Sequence, residues 1–339
     1  MTAMIPGIPG PEHRPEWQAL LARSVRSVDE LLRLLDIDPA SHPVRPLVGG
    51  FPLRVPRGFV ARMARGDIND PLLRQVLPVD EETRPIEGYL PDPLQEAAAM
   101  PCPGLLHKYH GRALLTLTGA CAIHCRYCFR RHFPYADANP AGVHWEQALA
   151  YLAAHPDIHE IILSGGDPLS LPDERLQQLT ERLSALAHLR TLRLHSRLPI
   201  VLPERIDAGL LAWLGRLRFR VVMVVHCNHP NEIDAPVRAA LQQLARAGVT
   251  LLNQSVLLRG VNDDAATLVQ LSESLFAAGV LPYYLHRLDR VQGAAHFEVA
   301  AERACALYNA VHAALPGYLV PRLVEEVPGK PGKMPVCRT

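Results

Sequence analysis

The run Thr118-Gly119-Ala120-Cys121-Ala122-Ile123-His124-Cys125-Arg126-Tyr127-Cys128 follows a strand-like apolar stretch and sets three cysteines in C-x3-C-x2-C order. Three thiolates so spaced can hold three irons of a four-iron cube, soft ligands on a soft metal. They leave the fourth iron free to bind and reduce a small molecule. A closed zinc site wants four ligands, and a C-x2-C pair usually has a second pair elsewhere. Cys102, Cys227, Cys305 and Cys337 are single and scattered, so zinc would have to recruit His124 or His132. A thioredoxin-like dithiol of Cys125 and Cys128 would leave Cys121 without a role. The pattern favours the cluster, with a zinc-stabilised binding or scaffold protein as the competing reading.

Outward from this motif, short apolar runs alternate with amphipathic segments. Ala113–Leu117, Glu160–Leu163, Leu189–Leu194, Arg220–Val225, Thr250–Val256 and Leu281–Leu285 read as strands. Between them Trp145–Ala154, Asp173–Leu186, Arg205–Leu214, Pro236–Ala247 and Ala265–Ala277 carry helical spacing. Repeated βα units imply an α/β fold with a parallel sheet, and six of them fit a partial or complete barrel. Chemistry in such barrels sits at the C-terminal strand ends, where the cysteine motif falls. Upstream, residues 1–100 read as a mainly helical extension: Trp17 to Leu35 has helical periodicity, a second helix lies near Pro71 to Val76, and the Gly/Pro-punctuated Leu47 to Phe59 reads as loop. Residues 101–326 would form the barrel and 327–339 a Pro/Gly arm.

The 339 residues are enough for a full hydrophobic core, and 48% hydrophobic with 20% charged residues suits a globular enzyme. With 35 basic against 34 acidic residues there is no net field to draw in nucleic acid or a membrane. Seven cysteines, odd in number with three close together, look like a reducing compartment rather than a disulfide framework. Met1 to Pro15 has no apolar signal core, and no run reaches the length of a membrane span, so the cytoplasm is expected.

The cysteine motif, with aromatic Tyr127 before its last cysteine, resembles the radical S-adenosylmethionine enzymes, whose fold is a partial (β/α)6 barrel. Ser164-Gly165-Gly166-Asp167 after the second strand resembles the turn that contacts the amino group of S-adenosyl-L-methionine in that superfamily. Its glycines let backbone approach a ligand closely, and its carboxylate can take an ammonium, although alone it could be a tight β-to-α connection. Further segments narrow the resemblance: His107-Lys108-Tyr109-His110-Gly111-Arg112, Cys128-Phe129-Arg130-Arg131, Asn253 to Asp263 and Pro282 to Asp289. Together they resemble the lysine 2,3-aminomutase family from about residue 50 onward, closest to the short subgroup that makes β-lysine for modifying elongation factor P.

That resemblance implies an isomerase converting L-lysine to β-lysine with a [4Fe-4S] cluster, S-adenosyl-L-methionine and pyridoxal 5′-phosphate. Cys121, Cys125 and Cys128 would hold the cluster, and Ser164, Gly165, Gly166 and Asp167 the S-adenosyl-L-methionine. Lys333 would join pyridoxal phosphate, with Lys330 a nearby decoy, while Tyr109 and Arg112 meet its phosphate and Gln254 contributes to the cofactor site. Arg130 would grip the substrate carboxylate, whereas Arg131 is structural or solvated. Asp289 and Glu326 would hold the distal ammonium, although Asp289 could equally cap a helix and Glu325 is a second candidate acid. Glu326 departs from the family's aspartate, and displacing a charge by about 1 Å can cost about 100-fold in rate. Cys227 is expected in cofactor-site packing, Cys102, Cys305 and Cys337 as incidental thiols, and no zinc is expected. The implied partners are an electron donor such as flavodoxin or ferredoxin and, indirectly, elongation factor P with its lysyl ligase; a homo-oligomer is compatible. An aminomutase acting on arginine is the runner-up substrate reading, and a radical enzyme without pyridoxal phosphate the runner-up chemistry.

Overall fold

The computed structural model describes residues 15–40, 51–135 and 143–337, so the reading of Met1 to Pro15 as free of a signal core lies almost wholly outside them. Its centre is one sheet of nine strands paired in chain order. These are β1 (Leu105–Tyr109), β2 (Arg112–Thr116), β3 (Glu160–Ser164), β4 (Thr191–Ser196), β5 (Arg220–Val225), β6 (Thr250–Val256), β7 (Leu281–His286), β8 (Arg322–Glu325) and β9 (Met334–Pro335). Strands β2 to β8 are parallel, while β1 and β9 flank them antiparallel. The pairing starts at β1 and stops at β9, which gives a partial barrel with an open seam.

All six expected parallel strands form, and β5 and β6 have the expected bounds. A seventh parallel strand, β8, was missed, as were the antiparallel β1 and β9. β8 and β9 are short, and β1, as long as β2, carries His107 and Lys108 where a buried strand would be apolar. In β5 the run Val221 to Val225 is β-branched but for Met223, which suits a strand covered on both faces.

The expected helix from Trp17 to Leu35 is two helices, Glu16–Ala22 and Val28–Leu34. Between them Val25 pairs with Val55 through two backbone hydrogen bonds (2.8 and 3.0 Å), and the Ser27 hydroxyl accepts from the Glu30 amide to start the second helix. Of the expected loop, residues 47–50 lie outside the described residues and Arg57–Val60 is one helical turn. The helix near Pro71 is also a single turn, Pro71–Arg74, capped by Asp70. Trp17, Leu31, Phe59 and Leu72 of this extension share one buried core with Leu115, Leu163, Leu194 and Val225 of the barrel.

Cys305 and Cys337 form a disulfide, with Cα atoms 5.7 Å apart, which corrects their reading as incidental thiols. They lie 32 residues apart in sequence, and the strand return of β8 and β9 brings them together. No helix among the described residues is long and apolar enough to cross a membrane.

Candidate active site

A cavity of about 540 Å³ runs from the C-terminal ends of the parallel strands down to Arg112, Glu160 and Arg193. Cys121, Cys125, Cys128, Arg130, Ser164, Gly165, Gly166, Asp167, Tyr109, Arg112, Gln254, Asp289, Glu326 and Lys333 all line it. Residues proposed from scattered segments therefore meet in one chamber.

The cysteine loop is fixed from two sides. From the barrel, the Gly166 and Asp167 amides donate to the Thr118 and Ala120 carbonyls (2.6 and 2.8 Å). From the extension, Glu82 accepts from the buried Arg126 through both carboxylate oxygens and from Arg131 at 2.7 Å. Arg131 is thereby a structural residue of the loop. Burial pushes the Cys121 thiol up, and burial and the neighbouring Cys125 bring Cys128 to about 11. Buried thiols of this kind ionise when a cationic metal group compensates them, so the donor set fits an iron–sulfur cluster. His124 Nδ1 lies 3.0 Å from the Pro52 carbonyl and His132 Nε2 3.2 Å from that of Gln292, and neither lines the cavity. Among the described residues no three His, Cys, Asp or Glu side chains converge on a single ion.

Asp167 has another task than the expected one. Oδ1 accepts from Ser196 Oγ (2.8 Å) and the Leu169 amide (3.0 Å), and Oδ2 from the Arg197 and Leu198 amides (2.7 and 3.2 Å). Four bonds fill a carboxylate. Burial still raises its pKa to about 6 against these hydrogen bonds. An ammonium at this turn would therefore meet backbone, and Asp167 ties the ends of β3 and β4 together.

Arg130 is buried and forked onto Glu96, Nε to Oε2 at 2.7 Å and Nη2 to Oε1 at 2.9 Å. Its Nη1 faces Ser164 Oγ (3.1 Å) and the Gly165 carbonyl (3.3 Å). Glu96 was not singled out from the sequence; it lies in a Pro-rich approach where an acid is unremarked.

Glu326 accepts from Lys108 (Oε1, 3.0 Å) and Lys333 (Oε2, 3.2 Å). Burial would raise its pKa, but these two ammonium groups hold it at about 2. Asp289 is pushed up to about 7 by burial and by Glu326. It is a cavity residue rather than a helix cap, and the alternative acid Glu325 pairs instead with Arg287 (3.0 Å). Lys330 is exposed and outside the cavity, whereas Lys333 is inside with its ammonium 5.5 Å from the centre of the Tyr284 ring.

The polar fittings suit a phosphorylated aromatic aldehyde. The Arg112 guanidinium lies over the Tyr109 ring at 4.6 Å, and among the described residues nothing hydrogen-bonds or ion-pairs with it. His195, His226 and His286 line the same cavity, each with a buried Nε2 that has no hydrogen-bond partner among the described residues. Burial drives all three toward the neutral form. These histidines were missed from the sequence because each is one polar residue inside an apolar strand end. Cys227, expected beside the cofactor, is fully buried on the opposite side of the strand end with its thiol toward the His229 carbonyl. Its neighbours His226 and Asn228 face the cavity instead, as alternation requires.

No family model matches the chain. It is 51% identical over 328 residues to L-lysine 2,3-aminomutase of Escherichia coli K12, covering 95% of each chain. It is 45% identical to the protein of the same name from Haemophilus influenzae (97% and 98% covered) and 34% to that of Clostridium subterminale (95% and 77%). Among solved structures a radical SAM methyltransferase from Sphaerobacter thermophilus superposes with a TM-score of 0.45 at 18% identity, over 65% of this chain and 68% of that one. On its similarity to these relatives, the chain belongs to the L-lysine 2,3-aminomutase family.

Proposed function

We propose that the protein converts L-lysine to β-lysine, moving the amino group from C2 to C3. One observation carries this reading: the three cysteines and Lys333, from distant parts of the chain, open into the same cavity, together with Arg130 and the acids Asp289 and Glu326. Cys121, Cys125 and Cys128 would hold a [4Fe-4S] cluster, the Ser164 to Gly166 turn S-adenosyl-L-methionine, and Tyr109, Arg112, Gln254 and Lys333 pyridoxal phosphate. When bound, these groups would supply a carbon-centred radical and an aldehyde that holds the amino nitrogen while it moves from C2 to C3.

The chain's own work is binding, orientation and charge neutralisation. Because Glu96 takes Nε and Nη2 of Arg130, Nη1 is the group that would exchange its Ser164 and Gly165 contacts for a substrate carboxylate. Ionised Glu326 and the readily titrated Asp289 offer the distal ammonium two acceptors. Apolar walls from Leu94, Leu106, Ile123 and Val256 keep water from the reacting carbons.

β-Lysine made here would serve the modification of elongation factor P through its lysyl ligase, in the cytoplasm, with flavodoxin or ferredoxin as electron donor. The resemblance to the short subgroup supports that placement. The test is anaerobic: protein loaded with iron and sulfide, dithionite, S-adenosyl-L-methionine, pyridoxal phosphate and L-lysine, with products read by chromatography and mass spectrometry. β-Lysine should form, and should disappear in Cys125→Ala and Lys333→Ala. 5′-Deoxyadenosine with unchanged lysine would overturn the substrate, and neither product from fully loaded protein would overturn the function.

A further inference from the structure

Four side chains from separate elements form an unbroken chain of alternating charge along the cavity wall. Arg130 is forked onto Glu96, Glu96 Oε1 lies 3.4 Å from Lys108 Nζ, and Lys108 Nζ donates to Glu326 Oε1 at 3.0 Å. Arg130 and Glu96 are nearly buried, and the Lys108 and Glu326 side chains are 16% and 15% exposed. Lys108 stands on strand β1, whereas Glu326 lies just past β8, at the start of an arm with no strand or helix until Met334. Among the described residues two ammonium groups hold Glu326, those of Lys108 and Lys333, with the Tyr109 hydroxyl beside them. When Lys333 serves the cofactor, Lys108 is the cationic support that remains among these. Without it, Glu96 and Glu326 would also face each other with no Lys108 ammonium between them.

We propose that Lys108, held by Glu96, is the positioning residue that fixes Glu326 as an acceptor for the substrate's distal ammonium, and that the bridge from Arg130 to Glu326 sets the length of amino acid accepted. The inference rests on the lysine reading above. One end of the bridge takes the carboxylate and the other the ammonium, so their separation is built from three ion pairs rather than from loop conformation. Lys108 itself touches neither reacting carbon and acts through Glu326.

The test compares L-lysine with L-ornithine, one methylene shorter, on fully loaded wild type, Lys108→Gln and Lys108→Arg. Lys108→Gln should raise KM for lysine and cut the lysine-over-ornithine preference in kcat/KM by about 10-fold or more, because a displaced acceptor no longer measures the chain. Lys108→Arg should restore most of the preference, since it keeps the cation on β1. If Lys108→Gln does not fold, Glu96→Gln carries the test: it removes the charge that holds Lys108 and should lower the lysine-over-ornithine preference in the same way. An equal loss on both amino acids, or an unchanged preference in both variants, overturns the proposal. Wild type that turns over neither amino acid refutes the lysine reading and this inference with it, whereas lysine-selective wild type with equally selective variants refutes the inference alone.

Discussion

Arg197 donates a hydrogen bond from Nη1 to the Cys125 sulfur at 2.6 Å. The same guanidinium donates to Tyr127 Oη (2.7 Å), Gln75 Oε1 (2.7 Å) and Glu232 Oε2 (3.1 Å), so it is held by the cluster loop, the extension and the loop after β5 at once. With Cys125 ligating a cluster as proposed, this N–H would draw charge off the sulfur and favour the reduced cluster.

Arg197→Met should lower the reduction potential of the cluster and cut S-adenosyl-L-methionine cleavage by about 10–100-fold, the usual size of outer-shell effects at metal sites. It also leaves Glu232 buried without its charge partner, which should cost about 3–5 kcal/mol of stability. A potentiometric titration of the cluster in folded variant separates the two effects. An unchanged potential would show that the bond is only structural.

Gly166 is where the cysteine loop and the β3 turn touch. A Cβ there would lie 2.4 Å from the Ala120 carbonyl oxygen and 2.8 Å from the Gly119 carbonyl carbon. Both contacts are backbone, which cannot swing aside as a side chain can. Gly166→Ala should therefore push the loop off the turn, cost about 1–3 kcal/mol, and reduce iron retained per chain after reconstitution. Full iron loading with normal melting would show that the two segments separate without consequence.

Much of this site is legible in the sequence because its chemistry is compact. Cysteines at fixed spacing and a Gly-Gly turn one βα unit later declare themselves, and the branched runs of β5 and β6 mark the barrel. What escaped depends on partners distant in sequence. Glu96 meets Arg130 and Lys108 meets Glu326 only after the sheet has formed, and a single acid or lysine carries no local sign of that. Asp167 was assigned to a ligand because the motif resembles a binding turn, but its oxygens are taken by amides from the β4 end, a contact no spacing rule reveals. Strands β8 and β9 are too short for periodicity, so the return that carries Lys333 into the cavity was legible only as an arm.

The Cys305–Cys337 disulfide ties the downstream end of that arm to the helix Ala301–Ala314. Closing a segment with 32 residues of separation restricts the unfolded chain, by about 3–4 kcal/mol on the chain-entropy argument. Thiol reductant should lower the melting temperature of the wild type and leave Cys305→Ser unaffected. It should also speed tryptic cleavage after Lys333, four residues from the tie. Equal melting with and without reductant would mean that the β8–β9 pairing alone secures the arm.

Asp289 and Glu326 share one cavity and titrate far apart. Lys333 and Lys108 overcome burial to hold Glu326 at about 2, so it stays ionised throughout the working range. For Asp289, burial and then the Glu326 charge prevail over Lys333 and Lys108, with Glu96 adding to the rise, and its pKa reaches about 7. A cationic substrate favours the ionised carboxyl, so KM for lysine should fall as pH rises, by roughly tenfold per unit below the Asp289 pKa and levelling above it. Stability should move the other way. The folded protein keeps this proton to about pH 7 while the unfolded chain releases it near 3.8, so rising pH across that window removes stability from the native state. Asp289→Asn should abolish the pH dependence of KM, raise KM at pH values where wild-type Asp289 is ionised, and melt higher than wild type under the same alkaline conditions. A KM that stays flat from acid to alkaline pH in the wild type, or that keeps its slope in Asp289→Asn, would place the distal ammonium on Glu326 alone.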